Sequence, residues 1–337
     1  MRWGILGAGE IAGRGLAPAL NRAADTDLLA VYNRTVDKAE AFAAKFGARR
    51  KYDALERFLA DPDVDAVYIA TPNSLHAEHA IAAARAGKHI LVEKPMANTM
   101  QDGERMMEAA AKHNVKLGVM YQNRYHAAHD AVRRHIASGA LGEIQLASAH
   151  HCRGFTRNGH WSGWRVDPAM AGSGAIVAQA VHPVDLLRYL LGAEVAEVEA
   201  MTDEAPPQRP VEEMVYSLLR FDNGVHATVV SGTLVPRHDN DVLFYGSIGK
   251  ITCKGTLGNP RDNRDGEMTL ETDRGMETMT YPTSTVVDKM RAIVEDFTSH
   301  VTRNTPFSSD AENGLQMVRI ALAMQESGRT RKAVRTA

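Results

Sequence analysis

Arg2-Trp3-Gly4-Ile5-Leu6-Gly7-Ala8-Gly9-Glu10-Ile11-Ala12 is the stretch that decides the fold. Arg2–Leu6 reads as a short buried strand, two glycines follow it at once, and a helical pattern begins at Glu10. A glycine directly after a strand permits a tight turn. A second one lets backbone N–H groups approach a pyrophosphate at the helix N-terminus. Gly-x-Gly-x-x-Ala is a weak signal alone and a specific one between a strand and a helix. Working outward, strand candidates Leu28–Asn33, Ala66–Thr71, His89–Glu93 and Lys116–Tyr121 alternate with helical patterns Val36–Phe46, Ser74–Ala86 and Met100–His113. That alternation predicts a parallel sheet with right-handed crossovers, an α/β Rossmann domain over residues 1–121.

Beyond Gln122 the period changes. Residues 126–138 read as a helix and Glu143–Cys152 as a strand, followed by a Gly- and Trp-rich loop (Gly154–Gly174) and a helix over Ala175–Leu191. From Val195 to Tyr281, strands are separated by the turns Asn223-Gly224, Ser247-Ile248-Gly249 and Asp265-Gly266. Helices Met290–Thr302 and Gly314–Gln325 close the chain. Residues 122–337 are therefore expected to form an α+β domain with an open, mostly antiparallel sheet and a helix on one face. The basic run Arg329, Arg331, Lys332, Arg335 reads as a solvated, frayed helix end.

The totals agree with two soluble domains. The chain has 337 residues, 44% hydrophobic and 24% charged, and a net charge of −2, so no global field recruits nucleic acid or an anionic membrane. Two cysteines, Cys152 and Cys253, exclude a disulfide framework and point to a reducing compartment. The first strand starts at Arg2, and no apolar run is long enough to span a membrane, so a cytoplasmic location is expected.

The second strand candidate ends in Asn33-Arg34-Thr35. An acid at that point would take both ribose hydroxyls of NAD and repel a 2′-phosphate; an arginine accommodates the phosphate. With Arg34 and Lys38 as cations and Asn33 and Thr35 as neutral donors, NADP(H) is expected over NAD(H).

A second signal is Lys88-His89-Ile90-Leu91-Val92-Glu93-Lys94-Pro95, a buried strand ending in Glu-Lys-Pro. Residues at the carboxyl end of a parallel strand face the ligand crevice, where Lys94 can hydrogen-bond a substrate hydroxyl. With Asp63-Val64-Asp65-Ala66-Val67, Ala70-Thr71-Pro72-Asn73 and His76, and later Ser138-Gly139-Ala140-Leu141-Gly142-Glu143-Ile144 and Gly172–Leu191, the chain resembles the Gfo/Idh/MocA family, named for glucose–fructose oxidoreductase and inositol dehydrogenase. Gly163-Trp164-Arg165 is similar to the sugar reductases within it that are related to 1,5-anhydrofructose reductase. The resemblance implies a nicotinamide-dependent dehydrogenase or reductase acting on a sugar or polyol, assembled as a homodimer or homotetramer through its open sheet. It implies cofactor contacts from Gly7, Gly9, Glu10, Ile11, Ala12, Asn33, Arg34, Thr35, Lys38, Thr71, Pro72, Asn73, His76, Glu93, Lys94, Trp164 and Arg165. It also implies substrate contacts from Lys94, Trp161, Gln179, His182 and Asp185, with Lys94 and His182 catalytic.

One departure stands out. The family pattern on the helix after the glycine-rich loop is an Asp, then a His four residues on, then an Asp three beyond; here His182 and Asp185 fit, but the first position holds Ala178. Without an acid one turn away, His182 is expected to be neutral and able to accept a proton from an alcohol. His150-His151-Cys152 is not expected to hold a metal, because alternate side chains on a strand face opposite ways. Two other functions stay open at this point. One is a redox-neutral, glycoside-processing enzyme with a retained nicotinamide cofactor, which the missing acid at Ala178 keeps open. The other is a dinucleotide-sensing regulator, which Lys94 and His182 speak against.

Overall fold

The computed structural model describes residues 1–336 except 155–161, 206–209, 237, 239 and 259–264. Contacts divide the chain into two units: Met1–Gln122 with Val286–Val318, and Asn123–Thr285 with Arg319–Ala337. The single cut after residue 121 therefore needs correcting at the C-terminal end, where residues 286–318 return to the first unit. Small residues make room for them. A Cβ on Gly15 would lie 2.5 Å from Met290 Sδ, and one on Gly118 would lie 2.6 Å from the Phe307 ring. Trp3, fully buried, meets Phe297 at 5.8 Å between ring centroids.

The first unit contains β1 (Arg2–Leu6), a π turn (Ala12–Leu16) running into α1 (Ala17–Leu20), β2 (Asp27–Tyr32), α2 (Val36–Phe46), β3 (Arg50–Tyr52), α3 (Leu55–Leu59), β4 (Ala66–Ile69), α4 (His76–Arg85), β5 (His89–Val92), α5 (Met100–Lys112) and β6 (Leu117–Val119). The six strands pair in the order β3-β2-β1-β4-β5-β6, all parallel. The order reverses between β1 and β4, so the loops after these strands flank the crevice where such sheets bind ligands. The strand β3 was not legible in the sequence: Arg-Lys-Tyr is no apolar run, and Arg50 is turned to Asp61 and Asp63.

The second unit contains α6 (Ala127–Ala137), β7 (Ile144–Cys152), α7 (Pro168–Ala171), a π turn (Ile176–Ala180) leading into α8 (Val181–Leu191), then β8 (Val195–Thr202), β9 (Met214–Phe221), β10 (His226–Gly232), β11 (Val242–Gly246), β12 (Gly249–Lys254), β13 (Gly266–Thr272) and β14 (Gly275–Tyr281). Helices α9 (Val286–Arg303) and α10 (Ala311–Thr330) and a short β15 (Val334–Arg335) end the chain. The nine strands pair in the order β14-β13-β12-β11-β7-β10-β9-β8-β15, parallel only at β7–β10 among the described residues. β7, the middle strand, packs against α8 through its buried face, Ala147, Ala149 and His151. The opposite face leaves Leu146, Tyr216, Leu218 and Tyr245 between 40% and 57% exposed.

The C-terminal run is not frayed. β15 pairs with β8, Ser327 Oγ donates to Lys332 O at 2.7 Å, and Thr336 N donates to Ala196 O at 3.1 Å. Of the basic run, Arg335 thus lies on a sheet edge, while Arg329 is on α10 and pairs with Glu326 at 2.7 Å. Both cysteines are unbridged and buried, and burial pushes the Cys152 thiol up to about 11 and that of Cys253 up to about 12. Among the described residues no helix is long and apolar enough to cross a membrane.

Candidate functional site

The glycine turn forms as its residues dictate. Gly7 has φ of +110°, a region closed to most side chains, and its N–H donates to Tyr32 O at 3.0 Å. A Cβ there would meet the Ala70 carbonyl at 2.9 Å, so the turn after β1 is pressed against the end of β4. Gly9 differs: a Cβ would meet no protein atom nearer than Ala70 O at 3.9 Å. Packing therefore does not require glycine at this position, and the space a side chain would fill is what a pyrophosphate needs. Ala12 is fully buried; Glu10 is exposed and pairs with Arg14 at 3.4 Å; Ile11 is half-buried between them.

After β2, Asn33 Oδ1 accepts the Thr35 N–H at 2.9 Å, closing a tight turn that starts α2. Arg34 and Lys38 are exposed, and neither forms an ion pair among the described residues. The end of β2 thus carries two cations, Arg34 and Lys38, with Asp37 between them in the first turn of α2.

The loops after β4 and β5 are tied together by a residue read from sequence as a cofactor contact. His76 is fully buried, with Nδ1 2.8 Å from Pro95 O and Nε2 3.0 Å from Thr71 O. Burial pulls its pKa down to about 4, so the ring is neutral and its one N–H serves one carbonyl at a time. The ring thus bridges the loop after β4 and the loop after β5. Thr71 Oγ1 is itself taken up by His79 Nδ1 at 3.0 Å, Asn73 is buried, and Pro72 leads into the single turn Asn73–Leu75.

Glu93 is not a surface partner for the lysine that follows it. It is buried, accepts a hydrogen bond from the Tyr68 hydroxyl, and takes the Lys94 N–H at 3.2 Å. Burial raises its pKa, against the opposing effect of Lys94. Glu93 thereby fixes the backbone from which half-buried Lys94 projects, and the Lys94–Pro95 peptide is cis. The roles of Tyr68 and His79 had no sequence signal, because their partners lie 25 and 8 residues away.

In the second unit, Glu212 sets the start of the helix that carries His182. Its Oε1 accepts from the Ser173 hydroxyl, from Gly174 N at 2.9 Å and from Ile176 N at 3.0 Å, while its backbone O accepts from Ala175 N at 2.8 Å. Gly174 is obligatory, since a Cβ would stand 2.0 Å from Glu212 O. In the π turn Val181 N–H reaches back to Ile176 O, one residue further than in an α-helix. The register between Ala178 and His182 is therefore not the simple helical turn that the spacing of four implies.

His182 and Gln179 are buried, and Ala178 is half-buried. His151 on β7 meets His182 edge to face, 5.2 Å between centroids and 87° between planes, and its Nδ1 donates to Gln179 O at 3.1 Å. Asp185 is committed to protein: Arg124 Nε reaches its Oδ2 at 2.8 Å and Arg124 NH2 its Oδ1, with both side chains 2% exposed. Arg124 also lies over Tyr189, 4.9 Å from the ring centroid. This buried pair fixes α8. In the loop before it, half-buried Arg165 stacks on Trp164 at 4.7 Å. Trp161 lies outside the described residues. The structure thus joins the ends of β1, β4 and β5 in the first unit, and His151, Gln179, His182 and Asp185 around α8 in the second.

Comparison with known proteins agrees with this geometry. The chain is 30% identical to 1,5-anhydro-D-fructose reductase of Ensifer adhaerens, over 98% of this chain and 97% of that protein. It superposes on levoglucosan dehydrogenase in complex with NADH and levoglucosan with a TM-score of 0.89 at 26% identity, covering 100% of this chain and 99% of that one. A 3-ketoreductase from Actinomadura kijaniata, in complex with NADP and TDP-benzene, gives 0.86 at 26% identity, covering 97% of each. Residues 1–121 match the oxidoreductase family model with an NAD-binding Rossmann fold, and residues 129–252 match its C-terminal domain. With the glycine cradle in the first match and α8 in the second, the chain belongs to the Gfo/Idh/MocA family of nicotinamide-dependent oxidoreductases.

Proposed function

We propose that the protein moves hydride between NADP(H) and a ring carbon of a sugar or polyol. The observation that carries this reading is Lys94, set at the end of β5 on a backbone fixed by Glu93, in the unit that holds the glycine cradle. Similar proteins support the substrate class, two being named for anhydrofructose and levoglucosan and a third as a 3-ketoreductase. They divide on the cofactor, NADH in one and NADP in another, so the preference rests on Asn33-Arg34-Thr35 and Lys38 of this chain.

The cofactor would lie on Gly7, Gly9 and the residues to Ala12, with Arg34 and Lys38 at the 2′-phosphate and Thr71–Asn73, Trp164 and Arg165 toward the other end. When bound, the nicotinamide supplies or takes the hydride. Lys94 donates a hydrogen bond to the reacting oxygen and eases its change of charge. His182 accepts the alcohol proton in oxidation and returns it in reduction. Gln179 borders the substrate, and Asp185, through Arg124, keeps α8 in place. Initial rates over a panel of sugars and polyols, with NADPH or NADP and then with NADH or NAD, test this. Turnover with a sugar and stronger use of the phosphorylated cofactor is expected. Substrate conversion without net change in NADPH favours the redox-neutral reading that Ala178 left open. We further propose a homodimer or homotetramer built through the exposed face of Leu146, Tyr216, Leu218 and Tyr245, because monomers rarely leave such patches bare. A monomeric mass by light scattering at micromolar concentration would refute it.

A further inference from the structure

We propose that His150, His238 and Asp241 form a divalent transition-metal site of the Zn²⁺ class on the side of the second sheet away from α8. His150-His151-Cys152 does not act as a unit: His151 faces α8, and His150 faces the other way. The missing partners come from the loop before β11, which returns to the end of β7 because β7 and β11 are neighbours in the sheet. A sequence separation of 91 residues hid this pairing.

One ligand atom from each of the three residues lies within 4.8 Å of the other two. His150 Nδ1 is 2.8 Å from Asp241 Oδ1, and the His150 and His238 rings are 5.0 Å apart at 73°. The loop is laid on the strand by contacts that need no ion. His150 N donates to Asp241 O at 2.9 Å and Cys152 N donates to Asn240 Oδ1 at 2.8 Å, whereas the bond from Asn240 N to His238 Nδ1, 3.0 Å long, must break before that ring can ligate. Asn240 holds φ of +53°, so the backbone is folded tightly between the two ligand positions. In the single chain the His150 and Asp241 side chains are 29% and 21% exposed, so an ion can reach them before the sheet face that His150 shares with Leu146 is covered by assembly.

Two imidazoles and one carboxylate suit Zn²⁺, Ni²⁺ or Co²⁺, whereas Ca²⁺ and Mg²⁺ prefer sites built of oxygen. Bonds of about 2.0–2.1 Å would place ligand atoms roughly 3.3 Å apart, so the widest separation must close and the His150–Asp241 contact must open. Side-chain rotation of half-buried groups achieves both, and water fills the remaining position. The ion would clamp the loop to β7.

The test uses the full chain, stripped with a chelator and titrated with ZnCl₂ by calorimetry and with Co²⁺ by visible absorption. One equivalent of Zn²⁺ per chain is expected, with a micromolar or lower Kd, visible Co²⁺ bands, and a Tm that rises with Zn²⁺. His150→Ala and His238→Gln should weaken binding by at least about 10-fold, while His226→Ala, at an exposed histidine of β10, should not. Asp241→Asn serves as a further variant, and circular dichroism without metal confirms that each folds. Absence of saturable binding at about 100 μM Zn²⁺, or equal affinity in all variants, overturns the site.

Discussion

In each unit a side chain ties together the backbone at the start of its candidate site, and these two braces are of opposite chemical kind. In the first, a neutral imidazole, His76, reaches the carbonyls of Thr71 and Pro95. In the second, the carboxylate of Glu212 gathers the Ser173 hydroxyl and the N–H groups of Gly174 and Ile176. The difference follows from what each end of a secondary element leaves unpaired. Loops after parallel strands present carbonyls, so a donor is needed; the start of a helix presents N–H groups, so an acceptor is needed.

The groups that these braces position should show the largest effects. His182→Ala is expected to lower kcat by about 10²- to 10⁴-fold with cofactor affinity little changed, and Lys94→Ala by as much or more. If both act on one oxygen, the double variant should lose less than the product of the two. Steady-state kinetics with fluorescence titration of NADPH decides it. A His182→Ala enzyme within a few-fold of wild type would leave the second unit with no proton-transfer role at that residue.

The first brace can be tested through pH. The buried His76 ring has a pKa of about 4 against 6.5 for a free ring. Above 6.5 it is neutral whether folded or unfolded. As pH falls through 6.5 the unfolded ring gains a proton that the folded one refuses, so stability is lost until about pH 4. That is about 1.4 kcal/mol per pH unit at most, and roughly 3 kcal/mol in all, before the folded ring also protonates. Burial also lowers the pKa of His79 and His89, so the wild-type slope is shared, but the difference from His76→Gln isolates this ring. Urea unfolding from pH 7 to pH 4.5 should show a shallower loss in the variant; parallel curves would contradict the brace.

How legible the two regions were in the sequence differs for the same reason that their braces differ. Five of the six strands of the first sheet, all but β3, were readable almost to their ends, because Gly7 and Gly9, the apolar runs and Glu93-Lys94-Pro95 are all local signals at the positions they govern. Even there, the sequence does not show that His76 is buried between two carbonyls, since burial is a property of the fold. The second site was less visible. The π turn has no residue code, Glu212 acts on Ile176 across 36 residues, and Arg124 acts on Asp185 across 61. The C-terminal strand β15 was missed because pairing with β8, not its own two residues, makes it a strand.

The cofactor corner gives the next effect in size. A charge-assisted hydrogen bond contributes roughly 1.5–3 kcal/mol, so Arg34→Ala should weaken NADPH by about 10- to 150-fold and leave NADH nearly unchanged. Equal losses for both would mean that Arg34 serves the adenine and not a phosphate.

The smallest expected effect belongs to the second brace, and it sharpens the contrast most. Glu212→Ala strips three donors of one acceptor at a helix start, and a lost cap of this kind costs about 0.5–2 kcal/mol. Glu212→Gln keeps an oxygen in place without the charge and should recover much of that loss. If the carboxylate only glues a loop, Glu212→Ala lowers the denaturation midpoint and leaves kcat and KM alone. If it sets the π turn beneath His182, kcat falls by several-fold with NADPH affinity unchanged, and Glu212→Gln restores kcat together with stability. The second outcome is expected, because Ile176, whose N–H Glu212 holds, supplies the carbonyl that Val181 N–H reaches one residue before His182.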